Sequence, residues 1–177
     1  MSTTTMNAVT GATIACSFVL VGNAITQSFM GVPALLVDFP LPRSASHAER
    51  ARLLGRQWPV FWAVGNRFFR PISTLGIVGY GVAAWTAATS SVDLHEGGRS
   101  SGSWKLFAIA AGCHVVNVVH SAVNMQPINE RIAALAGEAR DNEKAEEYAQ
   151  RWKRLNLVRL VMPLIAGTLA MTQVLGN

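Results

Sequence analysis

The sequence predicts an all-α integral membrane protein. It reads as a four-helix bundle in a single domain over residues 1–177, with a cytoplasmic amphipathic helix and a charged helical cap before the last span. Two observations carry this reading. Only 15 basic and 10 acidic residues occur in 177, and none lies in 1–37, 71–92, 106–129 or 160–177. A helix crosses a bilayer core of about 30 Å with roughly 20 residues, so each window is long enough to span. A soluble chain of this size would instead show amphipathic stripes broken by charge every few residues. The second observation is where the charges fall. Residues 33–70 hold six Arg, residues 126–154 hold six Lys or Arg, and the connection near 89–105 holds only Arg99 and Lys105. By the positive-inside rule, the loops at 33–70 and 126–154 face the cytoplasm.

This pattern argues against an extracellular disulfide scaffold, a disordered tail and an ordinary cytosolic enzyme. The net charge of +5 and pI near 9.9 come from loops beside spans rather than one folded face. They fit anionic headgroups, and nucleic acid is not expected as a partner. Cys16 and Cys113 fall in apolar windows and read as small core residues. The first ten residues carry no positive side chain and the apolar stretch is longer than a signal peptide needs, so it reads as a retained first span.

The spans are expected at about 13–32, 71–88, 104–125 and 155–175. Pro33, then Asp38, Pro40 and Pro42, should end the first. Residues 45–56 form an amphipathic helix lying at the interface. Trp58, Phe61, Trp62, Phe68 and Phe69 supply an aromatic belt before the second span. Residues 89–103, rich in Ser and Gly, form a polar loop. The third span ends near Met125 or Pro127. Residues 129–154, with six acidic and six basic side chains, form a solvated cap.

Polar side chains at membrane depth are costly and mark either function or helix-to-helix hydrogen bonds. At about 100° per residue, His114, Asn117, His120 and Asn124 share one face of the third span. Trp152, Asn156, Arg159 and Pro163 share a stripe on the fourth. Trp62, Asn66, Arg70, Ser73 and Tyr80 share another, and Asn23 and Gln27 lie on the first span. Together they predict one polar pocket at the cytoplasmic ends of the helices. His114 and His120 are six apart, with no carboxylate or thiolate on their stripe, so no metal site is expected. No phosphate loop or nucleophile-elbow motif occurs.

The segment Asn124-Met-Gln-Pro-Ile-Asn129, followed by Glu130-Arg131-Ile132, pairs with Arg151-Trp152-Lys153-Arg154-Leu155-Asn156-Leu157-Val158-Arg159. In these two motifs the chain resembles the anthrone oxygenases, small four-span proteins of fungal polyketide pathways. The first is an N-x-P-x-N turn closing span three, and the second a W-x-x-x-N-x-x-R opening to span four. The resemblance implies oxidation of a phenolic anthrone to an anthraquinone by O₂ as co-substrate, with no metal, flavin or other cofactor. It implies an internal membrane, endoplasmic reticulum or similar, and a hydrophobic aromatic substrate.

In that chemistry His120 is the first candidate for the base and His114 the second, because a neutral imidazole accepts protons near pH 7. Asn124, Asn129, Asn156 and Arg159 are candidate oxyanion donors. Asn117, Asn66, Arg70 and Asn23 are candidate substrate contacts, and Trp152 a stacking platform. Two competing readings keep the same pocket: an isomerase or cyclase working by acid and base alone, and a non-catalytic carrier or scaffold, with a homo-oligomer or pathway enzymes as partners. Carbonate washing should leave the chain in the membrane, and Ser101→Cys in sealed vesicles should be labelled only from the non-cytoplasmic side. Release by carbonate contradicts the spans, and labelling from the cytoplasmic side contradicts the topology.

Overall fold

The computed structural model describes residues 3–90, 103–137 and 142–176. Within them the regular elements are helical, and four stretches are long and apolar enough to cross a membrane: Thr4–Leu36, His47–Thr89, Trp104–Ala134 and Asn142–Leu175. The polar loop expected at 89–103 lies almost wholly outside the described residues, as do residues 138–141 of the charged stretch.

Three of the four stretches are interrupted by a wide π turn. Helix α1 (Thr3–Thr26) passes through Gln27–Gly31 into α2 (Val32–Leu36). Helix α3 (His47–Val64) passes through Gly65–Phe69 into α4 (Arg70–Ser90), and α5 (Ser103–His120) through Ser121–Met125 into α6 (Gln126–Ala134). Helix α7 (Ala145–Leu175) runs without such a turn, with Pro163 inside it.

The expectation that Pro33 and Pro127 end their helices is therefore corrected. Each sits in the first two positions of the segment after a π turn, where a missing N–H costs little. The chain turns instead after α2, at Asp38, whose φ of 52° lies in the left-handed region that Asp tolerates better than most residues. The amphipathic stretch at 45–56 is likewise not a separate helix, because it belongs to α3 and is continuous with the second span. The basic end of the charged stretch, 145–154, is the first part of α7.

In the membrane half, α1 packs on α4 and α7, and α5 packs on the same two. Helices adjacent in sequence are thus adjacent in space, and the ring closes between first and last. Its core is thin: Tyr80, Ala83, Phe107, Ala110, Ala166 and Ala170. Lipid is as apolar as a leucine side chain, so burying more leucine between spans gains little. Small residues that let backbones approach gain more. A Cβ on Gly79 would strike Thr13, one on Gly76 would strike the His114 ring, and one on Gly167 would crowd Phe18 and Ser17. The large apolar side chains turn outward, among them Val19, Leu75, Val78, Trp85, Val116 and Val119.

The cap end of the molecule is built differently. Here α3 lies on α6 and the start of α7 closes the group. Its buried residues are large, including Leu54, Trp58, Ile132, Leu135, Tyr148 and Trp152. His47 ties the loop to this cap, with Nδ1 2.6 Å from the Pro40 carbonyl and Nε2 2.9 Å from that of Asn142.

Gly79→Val should separate α1 from α4 and lower the thermal unfolding midpoint in detergent by several degrees. Gly22→Ala should leave it unchanged, because nothing lies within 4 Å of a Cβ there. Equal midpoints for the two variants would show that close packing at Gly79 does not hold the bundle.

Candidate active site

The three π turns converge on one cleft where the membrane bundle meets the cap. Gln27 opens the first turn, Gly65 and Asn66 belong to the second, Ser121 and Met125 to the third, and all five line the cleft. Trp62 and Arg70 flank the second turn, Gln126 and Asn129 follow the third, and α7 closes the wall with Trp152 and Arg159. A π turn adds a residue to a helix and redirects the side chains after it, which is why such turns recur at functional sites. In this conformation the space open to the centre of a water molecule is about 30 Å³. That admits water or the polar end of a ligand, and not three fused rings.

Asn129 organises the floor. Its Oδ1 accepts from Trp58 Nε1 at 3.0 Å and from Trp152 Nε1 at 2.8 Å. The two indoles stand edge to face at 5.4 Å, and Phe61 lies 6.0 Å from Trp152. With Oδ1 doubly occupied, any contact from Asn129 to a ligand comes from Nδ2. Trp152, expected as a stacking platform, is 1% exposed and reaches the cleft with little of its surface.

Asn156 has a different part from the oxyanion donor expected of it. It is fully buried, its Nδ2 donates to the Ala24 carbonyl at 3.2 Å and to Ser28 Oγ at 2.9 Å, and its Oδ1 accepts from Arg159 Nη1 at 3.1 Å. Both amide hydrogens are spent on α1 and its π turn. Asn156 therefore joins the first and last spans and aims Arg159 at the cleft. Arg70 lies near enough that its positive charge and that of Arg159 oppose one another.

His120 is not among the cleft-lining residues, although its neighbour Ser121 is. Its Nε2 lies 3.0 Å from the Leu155 carbonyl, and its Nδ1 3.0 Å from Asn124 Nδ2. A carbonyl only accepts, so Nε2 carries the hydrogen and Nδ1 the lone pair, which receives the amide of exposed Asn124.

Farther along the bundle, Asn117 Nδ2 donates to Ser73 Oγ at 2.8 Å. His114 Nε2 meets Ser17 Oγ at 3.0 Å, and Ser17 meets Tyr80 OH at 2.9 Å. Neither Asn117 nor His114 lines the cleft, and His114 is 0% exposed. Asn23 is half-buried and also outside the lining. The structure thus gathers Asn66, Arg70, Asn129, Trp152 and Arg159 at one place, while His120 and Asn124 neighbour the lining residues Ser121 and Met125 in the chain without lining the cleft themselves. It puts His114, Asn117, Asn156 and Asn23 elsewhere.

Gln27 and Trp62 are on the polar stripes of the sequence but were not singled out as site residues, and Ser121 and Gln126 carry no signal that a uniform wheel detects. Gln27, Ser121 and Gln126 each lie at or next to a π turn, where the uniform 100° wheel no longer applies. The same slip explains Asn124. The wheel aligns it with His114 and His120, yet it is exposed while they are buried, because it lies inside the turn Ser121–Met125.

Among the described residues no three His, Cys, Asp or Glu side chains gather as a metal-binding group. The family model described as anthrone oxygenase matches residues 58–169, which covers both motifs and every cleft residue except Gln27. No curated protein and no solved structure matches the chain. Asn129→Leu should leave two buried indole donors without an acceptor, at about 1–3 kcal/mol each. The thermal midpoint should fall clearly, and Asn66→Ala on the same cleft should leave it in place. An unshifted midpoint for Asn129→Leu would show that the two-indole clamp does not hold the cap.

Proposed function

This chain belongs to the anthrone oxygenase family, and from that premise we propose that it is a membrane oxygenase converting a phenolic polycyclic substrate of the anthrone class to the quinone with O₂. The observation that carries the reading is the cleft itself: Arg70, Arg159 and Trp62, whose buried Nε1 has no protein partner, line one space, and among the described residues that line it none is a carboxylate. A site with this excess of positive charge and donors favours an enolate over its neutral keto form. In a low-dielectric wall such donors act more strongly than in water.

The reaction needs little else from the protein. Loss of a benzylic proton turns the ketone into an electron-rich enolate, which passes one electron to O₂. The resulting radical and superoxide combine at carbon to a hydroperoxide, and loss of water leaves the second carbonyl. One O₂ is consumed and one water released per substrate, and the substrate supplies the electrons, so no cofactor enters the balance. The enolate oxygen enters the small cleft beside Arg159, and the rings remain at its mouth.

His120 is the proposed base. Its donation to the Leu155 carbonyl holds the tautomer with Nδ1 free to accept, and the amide covering Nδ1 belongs to exposed Asn124, which can swing aside. Asn156 acts through Arg159 as a positioning residue. The proposed setting is an internal membrane with the cleft on the cytoplasmic side.

Detergent-purified protein given an anthrone in air should take up O₂ faster than the spontaneous oxidation and yield the anthraquinone by mass spectrometry. His120→Gln should lower turnover by roughly 100-fold or more if it is the base. Arg159→Lys should also be poor, because a point charge on a flexible stem does not reproduce a planar fork. A rearranged product formed without O₂ would replace this reading with an isomerase. Tight binding with no turnover would replace it with a carrier or scaffold.

A further inference from the structure

Two residues of the cleft wall each carry a buried polar atom with no hydrogen-bond partner: the acceptor Oε1 of Gln27 and the donor Nε1 of Trp62. Gln27 is 8% exposed. Buried polar groups are nearly always paired, and leaving one unpaired costs about 1–3 kcal/mol. Opposite in sense, they ask for a ligand group that both donates and accepts. A hydroxyl does both.

The guanidiniums ask for something further. Arg70 and Arg159 oppose each other before any substrate is deprotonated, and the nearest motif carboxylate, exposed Glu130, is outside the lining and takes the amide of Gln126 at 2.9 Å. An enolate draws on these charges only once the proton has left, whereas a carboxylate on the substrate engages them from the moment of binding, before the chemistry begins. The available space of about 30 Å³ fits the acidic end of a ligand, and the aromatic side chains Trp62 and Trp152 on the wall suit a flat ring behind it.

We infer that the cleft selects a hydroxylated aromatic carboxylic acid, its carboxylate held by Arg70 and Arg159 and its hydroxyl set between Gln27 and Trp62. This deepens the oxidative reading, on which it rests for the identity of the site, by naming the substrate class as an acid rather than a neutral polyphenol. A lipid phosphate would satisfy the arginines equally well but carries no aromatic hydroxyl for the other two atoms.

The test is calorimetric titration of the full chain in maltoside detergent with 1-hydroxy-2-naphthoic acid, its methyl ester, and 2-naphthoic acid. The hydroxy acid should bind at least tenfold more tightly than the ester, which lacks the charge, and more tightly than the acid lacking the hydroxyl. In Gln27→Leu, close to the native side chain in size, the advantage of the hydroxyl should shrink while the advantage of the acid over the ester remains. Arg159→Gln should remove the latter. The ligand series on the unaltered protein stands even where a variant fails to fold.

Equal binding of acid and ester, or no binding of either, overturns the inference and leaves the cleft to water. Displacement of the hydroxy acid by dioctanoyl phosphatidic acid or inorganic phosphate at comparable concentration also overturns it, and assigns the arginines to a phosphate. Oxygen uptake separates this inference from the reaction. If the acid binds and no anthrone is oxidised, the oxygenase reading fails and the ligand class stands. If carboxylated and uncharged anthrones are oxidised with equal efficiency, the ligand class fails and the reaction stands.

Discussion

A polar side chain between lipid-facing helices has no water to turn to, and the arrangement of this protein follows from where each one finds its partner. Ser17 answers His114 and Tyr80 across α1, α4 and α5. Asn117 answers Ser73 between α5 and α4. Asn156 answers Ser28 and the Ala24 carbonyl, joining α7 to α1. These bonds run across the faces that small residues bring together, so side-chain hydrogen bonds and glycine contacts reinforce one another at the same places. Dispersion and hydrogen bonding hold the spans, because the hydrophobic effect offers little between helices already in oil.

Outside the bundle the balance reverses. In the cap apolar burial carries more of the packing, and Trp58, Ile132, Leu135 and Trp152 fill a core with larger side chains than the spans use. Asn129 sits where the two regimes meet. Its carbonyl satisfies two indoles from α3 and α7, so the cap's aromatic core and the floor of the cleft are one construction. Beside it the cleft wall carries two buried atoms without a partner, on Gln27 and Trp62, together with Arg159 and the exposed Arg70. Other unpaired atoms, on His114, Asn117 and Asn142, lie outside this lining, and it is the pairing of unpartnered atoms with two guanidiniums that marks the cleft as the place for a ligand.

The family motifs acquire physical roles in this setting. In the first, Asn124 covers His120 and Asn129 clamps the tryptophans, while Pro127 begins a helical segment after a wide turn instead of stopping a helix. In the second, Trp152 joins the aromatic core, Asn156 ties α7 to α1, and Arg159 is held by Asn156 as it faces the cleft. The residues of one motif thus divide between holding the site together and presenting charge to it, and spacing alone does not separate those parts.

The all-helical class and the four spans were legible in the chain alone, because the absence of charge over some twenty residues admits hardly any other fold in a membrane. The sequence also pointed to Asn66, Arg70, Asn129, Trp152 and Arg159, all of which line the cleft. Which polar residues line the cleft and which join helices depends on packing between helices. Asn156 and His114 read from the sequence as site groups, yet their partners lie on other helices, 128 and 97 residues away in the chain. The π turns were equally hidden. Each shifts the helical phase after it, so a wheel drawn through Ser121–Met125 places Asn124 on the buried face of His114 and His120, whereas in the folded chain it is exposed and reaches His120 from outside.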